Sequence, residues 1–295
     1  MIKTLMSTMR VPFLILTPVS IFLGLSTSVA TSKQISYFDI FLVLSGALFA
    51  HIGVNTLNEY HDFRSGLDAR TTRTPFSGGS GALIENPKAS QAVLFLAIIS
   101  LISTIMIGIY FTFRFGILVF PLGVTGILII ITYTKWLNRY PFLCLVAPGI
   151  GFGPLMVIGT HVILVGEYSM QVIWISLVPF FLASNLLLLN QYPDIEADKC
   201  VGRRHFPIVY GVNNSTLLYG AFVLAASGVI VIGIYTDLLP RLSVMGLIPI
   251  GVSTGVLLGA IKYAKSLQNF IPYLRVNVVI TILAPVLLGF SIIVG

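Results

Sequence analysis

Long apolar runs dominate the hydropathy pattern of this chain, and short polar segments separate most of them. A helix needs about 20 apolar residues to cross the roughly 30 Å of hydrocarbon in a bilayer. Runs of that length predict about nine membrane-spanning helices in one all-α, polytopic bundle formed by residues 1–295. Their approximate limits are 11–30, 37–58, 91–111, 115–133, 142–164, 172–190, 216–235, 241–261 and 272–294.

The composition supports this reading and excludes two other classes. Apolar residues make up 56% of the chain and charged residues only 9%, whereas about a quarter of a soluble domain is charged. A membrane β-barrel is excluded because its strands are about ten residues long and alternate in hydropathy. Cys144 and Cys200 do not suffice for a disulfide framework and lack the spacing of metal ligands.

Two polar segments, 59–90 and 191–215, are longer than the other connections. Each follows an even-numbered predicted span, so both leave the membrane on the same side. The sequence therefore predicts that the two segments meet and form a cap on one face of the bundle.

The distribution of basic residues predicts which face this is. Fourteen of the seventeen Lys and Arg residues fall on the side of the N-terminus, and Lys33, Arg114 and Arg241 fall on the other. The positive-inside rule then places the N-terminus and the cap in the cytoplasm and the C-terminus outside. Orientation and attraction to anionic lipid explain most of this basic excess, so nucleic-acid binding is not expected.

The cap segments hold seven of the ten acidic residues, and six of these seven lie within 55–68 and 190–198. At the end of the second predicted span, polar side chains recur at helical steps and form one stripe that runs into the first segment. The stripe contains His51, Asn55, Asn58 and Asp62. Asp68 follows Gly66, so we expect it to fold back after the helix stops.

In the second segment, Asn190, Asp194 and Asp198 are also four residues apart, which predicts a second stripe that Pro193 bends at its start. Carboxylates in one cleft repel each other unless a cation lies between them. Oxygen ligands without a His or Cys cluster favour Mg²⁺ or Ca²⁺ over zinc, and Mg²⁺ commonly bridges such carboxylates to substrate phosphates.

Nearby cations are candidates for binding the same phosphates: Arg70, Arg73, Lys135, Arg203 and Arg204. The glycine-rich stretch 73–81 fits either a nest of backbone N–H groups for phosphate or a flexible lid. Solvated helix ends are the alternative explanation for the acidic segments, but two matching segments on one face argue against it.

The two segments resemble the aspartate-rich motifs of the UbiA superfamily of intramembrane prenyltransferases. Asn58, Asp62, Asp68 and the stretch 73–75 follow the order of the first motif, and the second motif is similar to Asn190, Asp194 and Asp198. Within the superfamily, residues 58–68 look most like 1,4-dihydroxy-2-naphthoate polyprenyltransferases of menaquinone synthesis. Glu59 and the stretch 204–206 depart from that pattern.

The resemblance implies a nine-helix enzyme that moves a polyprenyl group from its diphosphate to an aromatic acceptor. It further implies catalytic, Mg²⁺-binding carboxylates at Asp62, Asp68, Asp194 and Asp198, assisted by Asn58 and Asn190. Arg70, Arg73 and Lys135 would neutralise the remaining diphosphate charge. The expected location is the bacterial inner membrane.

Several alternatives remain open at this point. The acceptor could also be 4-hydroxybenzoate, another aromatic acid, a lipid or haem. A secondary transporter is the alternative of another class, but its polar residues would lie near the midplane, commonly within inverted repeats. A CDP-alcohol phosphotransferase would need an Asp-Gly-x-x-Ala-Arg motif, which the stretch 68–70 lacks.

Overall fold

The computed structural model describes residues 1–31 and 34–295, and the described residues form helices without any β-strand. Eight of these helices are long and apolar enough to cross a membrane. They are α2 (Val11–Thr31), α3 (Tyr37–Ser65), α5 (Pro87–Leu118), α7 (Pro141–Val165), α8 (Met170–Asn190), α10 (Phe206–Tyr235), α11 (Arg241–Tyr263) and α12 (Leu267–Val294). The shorter helices are α1 (Ile2–Thr8), α4 (Ala82–Glu85), α6 (Phe120–Tyr133) and α9 (Ile195–Cys200). Lys33, which the charge count used, lies outside the described residues.

The all-α membrane bundle is therefore confirmed, and one predicted span is shorter than expected. The predicted fourth span, 115–133, contains a break at Gly116 and a single-turn 3-10 helix before α6 begins at Phe120. The 14 residues of α6 extend for about 21 Å, which is less than the hydrocarbon thickness.

Helix α3 continues beyond its predicted end and carries the first acidic segment. Gly66 ends it in the left-handed conformation, with φ at 75°, and its N–H bonds to the carbonyl of Phe63 at 3.2 Å. Glycine adopts this conformation without the clash that a Cβ atom causes. The turn directs Asp68 back to the bundle, where it is 3% exposed, as the sequence predicted.

The second acidic segment differs from its prediction of one helical stripe. Helix α8 ends at Asn190, residues 191–194 form turns, and α9 begins at Ile195. Pro193 has no N–H to continue the hydrogen bonds of a helix, which accounts for the break. Asn190, Asp194 and Asp198 are therefore brought together by a turn rather than by one helix face.

Helix α7 is interrupted at its centre by a π-helical segment, Gly151–Ile158, which packs between α2 and α8. Pro148 and Pro154 remove two backbone donors from this helix. The packing is close, since a Cβ atom at Gly153 would lie 2.5 Å from the Ser176 carbonyl oxygen. Single π segments inside helices occur frequently at functional sites.

Candidate active site

A cavity of about 750 Å³ opens among α2, α3, α5, α6, α7 and α8. One end contains both acidic segments, and the rest of the wall is mostly apolar, with side chains such as Phe111, Leu122, Phe152 and Leu155. The volume falls in the usual range of about 300–1,000 Å³ for small-molecule sites. A ligand with a charged head and an apolar tail matches this division.

The structure brings all six predicted metal ligands to the cavity. They are Asn58, Asp62, Asp68, Asn190, Asp194 and Asp198. Direct contacts join the two segments, because Arg203 pairs with Asp62 and the Gly78 N–H donates to Asp194 Oδ2 at 2.9 Å. The prediction that the two polar segments meet on one face is thus confirmed.

Two of the carboxylates are held by Arg203. Its guanidinium contacts Asp62 Oδ1 and lies 2.9 Å from Asp198 Oδ1. Asn58 donates to the second oxygen of Asp62 at 2.8 Å, and the second oxygen of Asp198 lies 2.9 Å from His205 Nε2. Burial of Arg203 opposes its charge, but the two carboxylates outweigh this effect and raise the pKa of the guanidinium.

Other oxygens at the same end of the cavity have no hydrogen-bond partner within the described residues. They are Asp68 Oδ2, Asn190 Oδ1, Gln191 Oε1 and Asp194 Oδ1, and each is buried. Burial raises the pKa of Asp68 to about 7, assisted by the charges of Glu59 and Asp62. Burial, followed by the charge of Asp198, likewise raises the pKa of Asp194 to about 7.

These unpaired oxygens fit a hard divalent cation. Buried acceptors without donors are costly, and Mg²⁺ binds oxygen ligands, commonly with substrate phosphates completing its coordination. In residues 1–31 and 34–295, no three His, Cys, Asp or Glu side chains are grouped closely enough to enclose a metal by themselves. Arg203 occupies Asp62 and Asp198. A bound metal would therefore need further ligands from amide oxygens or from the substrate, or Arg203 would have to move away from these two carboxylates.

The predicted phosphate-binding cations separate into two groups. Arg203 lines the cavity, whereas the other four are exposed and are not part of its lining. These four are Arg70, Arg73, Lys135 and Arg204. The Arg73 guanidinium packs on Gly81, where a Cβ atom would come within 2.2 Å of Cζ. Their contact with a diphosphate stays a prediction.

The glycine-rich loop closes over the acidic end of the cavity. Gly78, Gly79 and Gly81 all have positive φ, which allows the tight path of the chain. Its backbone N–H groups at Gly78 and Ser80 donate to the carboxylates of Asp194 and Glu59 at 2.9 Å each. These two N–H groups therefore hold protein carboxylates rather than forming an open phosphate nest.

The start of α2 adds a further charged pair at the cavity. Arg10 binds Glu59 Oε1 through Nη2 at 2.7 Å and through Nε at 2.9 Å. Glu59 is fully buried and also accepts from the Ser80 hydroxyl at 2.6 Å. Arg10 thus links α2, α3 and the glycine-rich loop.

Comparison with known proteins shows the family to which the chain belongs. Residues 17–293 match the UbiA prenyltransferase family. The chain belongs to this family. It is consequently an integral, multi-pass membrane protein. That 1–295 act as a single UbiA-like domain stays a prediction.

Individual relatives of this UbiA-family chain are distant. The 1,4-dihydroxy-2-naphthoate octaprenyltransferase of Bacillus subtilis (strain 168) is 30% identical over 187 residues, which are 62% of this chain and 58% of that protein. Among solved structures, a digeranylgeranylglyceryl phosphate synthase has a TM-score of 0.68 at 17% identity, covering 99% of this chain and 98% of the other. A UbiA homologue from Archaeoglobus fulgidus, bound to DMAPP and Mg²⁺, has a TM-score of 0.66 at 14% identity, covering 98% and 99%.

Sequence reasoning missed four residues of the UbiA-family site: Arg10, Glu59, Gln191 and His205. Arg10 precedes the first apolar run, where a basic residue by itself indicates only the orientation of the helix. Glu59 and His205 depart from the pattern of the family motifs, and this departure is the signal that could have assigned them. Gln191 directly follows a predicted ligand, and only the turn at residues 191–194 shows that its side chain faces the cavity.

Proposed function

We propose that this protein is a Mg²⁺-dependent polyprenyltransferase that transfers a polyprenyl group to an aromatic acceptor. The observation that carries the proposal is the set of unpaired oxygens at the head of a cavity with mostly apolar walls. Asp68, Asp194 and Asn190 would hold the metal, and Asp62 and Asp198 would join them where Arg203 releases them. Mg²⁺, when bound, supplies positive charge that stabilises the leaving diphosphate.

The residues of the chain then divide the reaction between them. Arg203 is positioned to release a carboxylate and bind a diphosphate oxygen instead. A guanidinium group recognises both the planar carboxylate and the tetrahedral phosphate. The allylic C–O bond breaks, and its electron pair leaves with the diphosphate. A ring carbon of the acceptor attacks the allylic cation. The ring then regains aromaticity because that carbon loses its proton to a base, or loses its carboxylate as CO2, and the electron pair of the broken bond returns to the ring. The apolar wall excludes water, which would otherwise capture the cation.

For the acceptor we propose 1,4-dihydroxy-2-naphthoate, which would place the enzyme in menaquinone biosynthesis. Support comes from the motif at residues 58–68 and from the 30% identity to the Bacillus subtilis naphthoate enzyme. We further propose that the acidic face of the bundle lies in the cytoplasm, because most Lys and Arg residues are on that side.

The test is product formation by the purified chain with Mg²⁺ and polyprenyl diphosphates of several lengths. Each reaction contains 1,4-dihydroxy-2-naphthoate or 4-hydroxybenzoate, and products are identified by mass spectrometry with EDTA as the control. We expect a metal-dependent prenylated naphthoquinol. If only 4-hydroxybenzoate were prenylated, the proposed naphthoate acceptor would be wrong. If turnover were insensitive to EDTA, the proposed dependence on Mg²⁺ would be wrong.

A further inference from the structure

Two lysine residues form a basic patch on the hairpin of α11 and α12, at the end of the bundle that holds the acidic segments. The ring of Phe270, in the first turn of α12, stacks on Tyr192 of the second segment with centroids 5.6 Å apart. Lys262 lies in the last turn of α11, and Lys265 lies in the connection to α12. Both lysines are exposed, and neither lines the cavity of the proposed active site.

The two lysines of the basic patch have no anionic partner in the described chain. Asp237 is the last acidic residue, so residues 238–295 contain four Lys or Arg residues and no carboxylate side chain. Among the described residues, Arg10, Arg114 and Arg203 are each paired with a carboxylate, whereas neither lysine of the patch forms an ion pair. The charge of the patch is therefore available to an anion from outside the chain.

Stacked tyrosine rings support the basic patch. The rings of Tyr263 and Tyr273 stack with centroids 5.8 Å apart, and Lys262 Nζ lies 5.1 Å from the centroid of the Tyr263 ring. Gly259 permits this packing, since a Cβ atom there would come within 2.2 Å of the Tyr273 ring. Tyrosine is enriched at the interface between bilayer and water, where its ring contacts apolar chains and its hydroxyl contacts head groups. The tyrosine pair therefore indicates that Lys262 lies at the level of the lipid head groups.

An open apolar surface continues from Lys262 along α11. Gly251, Gly255 and Leu258 lie on the same face of the helix as Lys262, at steps of three and four residues, and all are exposed. Within the described chain, no atom lies within 4 Å of the position of a Cβ atom at Gly251 or Gly255. A cation at the polar end of an uncovered apolar face matches the two parts of a phospholipid.

We propose that the α11–α12 hairpin binds an anionic phospholipid, with its phosphate on Lys262 and Lys265 and one acyl chain along Gly255 and Gly251. A zwitterionic lipid also carries a cation, which the two ammonium groups repel, so the site selects lipids with a net negative charge. The proposal does not depend on prenyl transfer, because none of these four residues lines the cavity.

The decisive experiment is native mass spectrometry of the purified full chain, titrated in detergent with phosphatidylglycerol or phosphatidylcholine of matched acyl chains. The apparent Kd of the first bound lipid is measured for the wild type, for Lys262→Gln/Lys265→Gln and for Lys262→Arg/Lys265→Arg, which keeps both charges. The matched control is Lys3→Gln/Lys88→Gln, which removes two exposed lysines that charge counting predicts on the same side. Gly255→Leu fills the apolar surface, and sn-glycerol 3-phosphate serves as the soluble head group without acyl chains.

We expect the wild type to bind phosphatidylglycerol about tenfold or more tightly than phosphatidylcholine. The double Gln variant should lose most of this preference, and the double Arg variant should keep it. The control variant should stay within about twofold of the wild type, because its lysines lie outside the hairpin. Gly255→Leu should weaken the binding of both lipids by about threefold or more, since it removes contact area for the acyl chain. Glycerol phosphate should not displace the lipid.

Several results would overturn the proposal. Equal affinity of the wild type for the two lipids, or a preference that the double Gln variant retains, would show that the lysines do not bind the head group. An equal loss in the control variant would mean that only net charge matters. Displacement by glycerol phosphate would assign the lysines to a soluble phosphate. A dimer that Gly255→Leu dissociates, without bound lipid, would assign this face to a second copy of the chain.

Discussion

At the scale of single residues, the carboxylates of the active site have two kinds of environment. Asp62 and Asp198 are both held by Arg203, whereas Asp68 and Asp194 each keep one buried oxygen without a partner in the described chain. A charge-neutral replacement should therefore affect the two kinds differently. At Asp62 or Asp198 it breaks a buried ion pair, and at Asp68 or Asp194 it weakens the proposed cation site.

Asp194→Asn should raise the Mg²⁺ concentration for half-maximal activity by about tenfold or more, because an amide oxygen binds the ion less tightly than a carboxylate. Folding should be retained, since Asp194 forms no ion pair. Activity titrated with Mg²⁺, together with the Tm in detergent, measures both effects. Asp237→Asn, at an exposed position outside the cavity, is the matched control. An unchanged Mg²⁺ requirement would remove Asp194 from the metal site.

The pH dependence of stability should follow the same two carboxyl groups. Asp68 and Asp194 have a pKa of about 7 in the fold and titrate near 4 when unfolded. Between these values the folded chain binds more protons, so the Tm of the metal-free protein should fall as the pH rises from about 4 to about 7.

Metal binding requires the charged carboxylates, so the increase in Tm on adding Mg²⁺ should be larger at pH 8 than at pH 5. The variant Asp68→Asn/Asp194→Asn should lose most of both trends. Thermal unfolding across this pH range, with and without Mg²⁺, provides the measurement. A Tm for the wild type that rises from pH 4 to pH 7 would contradict the burial of these groups.

At the scale of elements, the π segment of α7 joins close packing to the cavity wall. Gly153 faces α8, whereas Gly151, two residues earlier, has no atom within 4 Å of the position of a Cβ atom. The same substitution at these two positions therefore distinguishes two effects on stability. One is the steric clash with α8, and the other is the change in backbone freedom when glycine is replaced.

Gly153→Ala should lower the free energy of unfolding by about 1–3 kcal/mol, because the new methyl group would clash with the α8 backbone. Gly151→Ala should change it by less than about 1 kcal/mol, since the site is open and helical. Thermal unfolding of both variants in one detergent compares them directly. Equal destabilisation would show that the α7–α8 contact is looser than described.

At the scale of the whole molecule, the two acidic segments share one face, and charge counting predicts that this face is cytoplasmic. The two natural cysteines permit a direct test, because Cys200 is exposed within the second segment and Cys144 is buried. A membrane-impermeant maleimide should label Cys200 in inside-out vesicles and leave it unlabelled in intact spheroplasts.

The control for orientation is Asp237→Cys in a Cys200→Ser background, which places the thiol in the exposed connection between α10 and α11. It should show the opposite accessibility. Labelling of Cys200 from the outside would reverse the proposed orientation without changing the fold.

Features that depend on neighbouring residues were predictable. The apolar runs define the spans, Gly66 ends α3, and the spacing of Asn58 and Asp62 places both on one helix face. Predictions were less accurate where backbone geometry breaks a regular element. Gly116 shortens the fourth predicted span, and Pro193 divides the second acidic stripe.

The sequence alone therefore determined the membrane bundle, the shared face of the polar segments and the six oxygen side chains at the cavity. Tertiary structure decided which cations reach that cavity. Arg203 meets Asp62 across 141 positions of the chain, and Arg10 meets Glu59 across 49. Arg70 and Lys135, which are close to the motifs in sequence, remain exposed. Local spacing specifies periodicity along one helix, but the pairing of charges depends on how separate helices pack, and no local pattern encodes it.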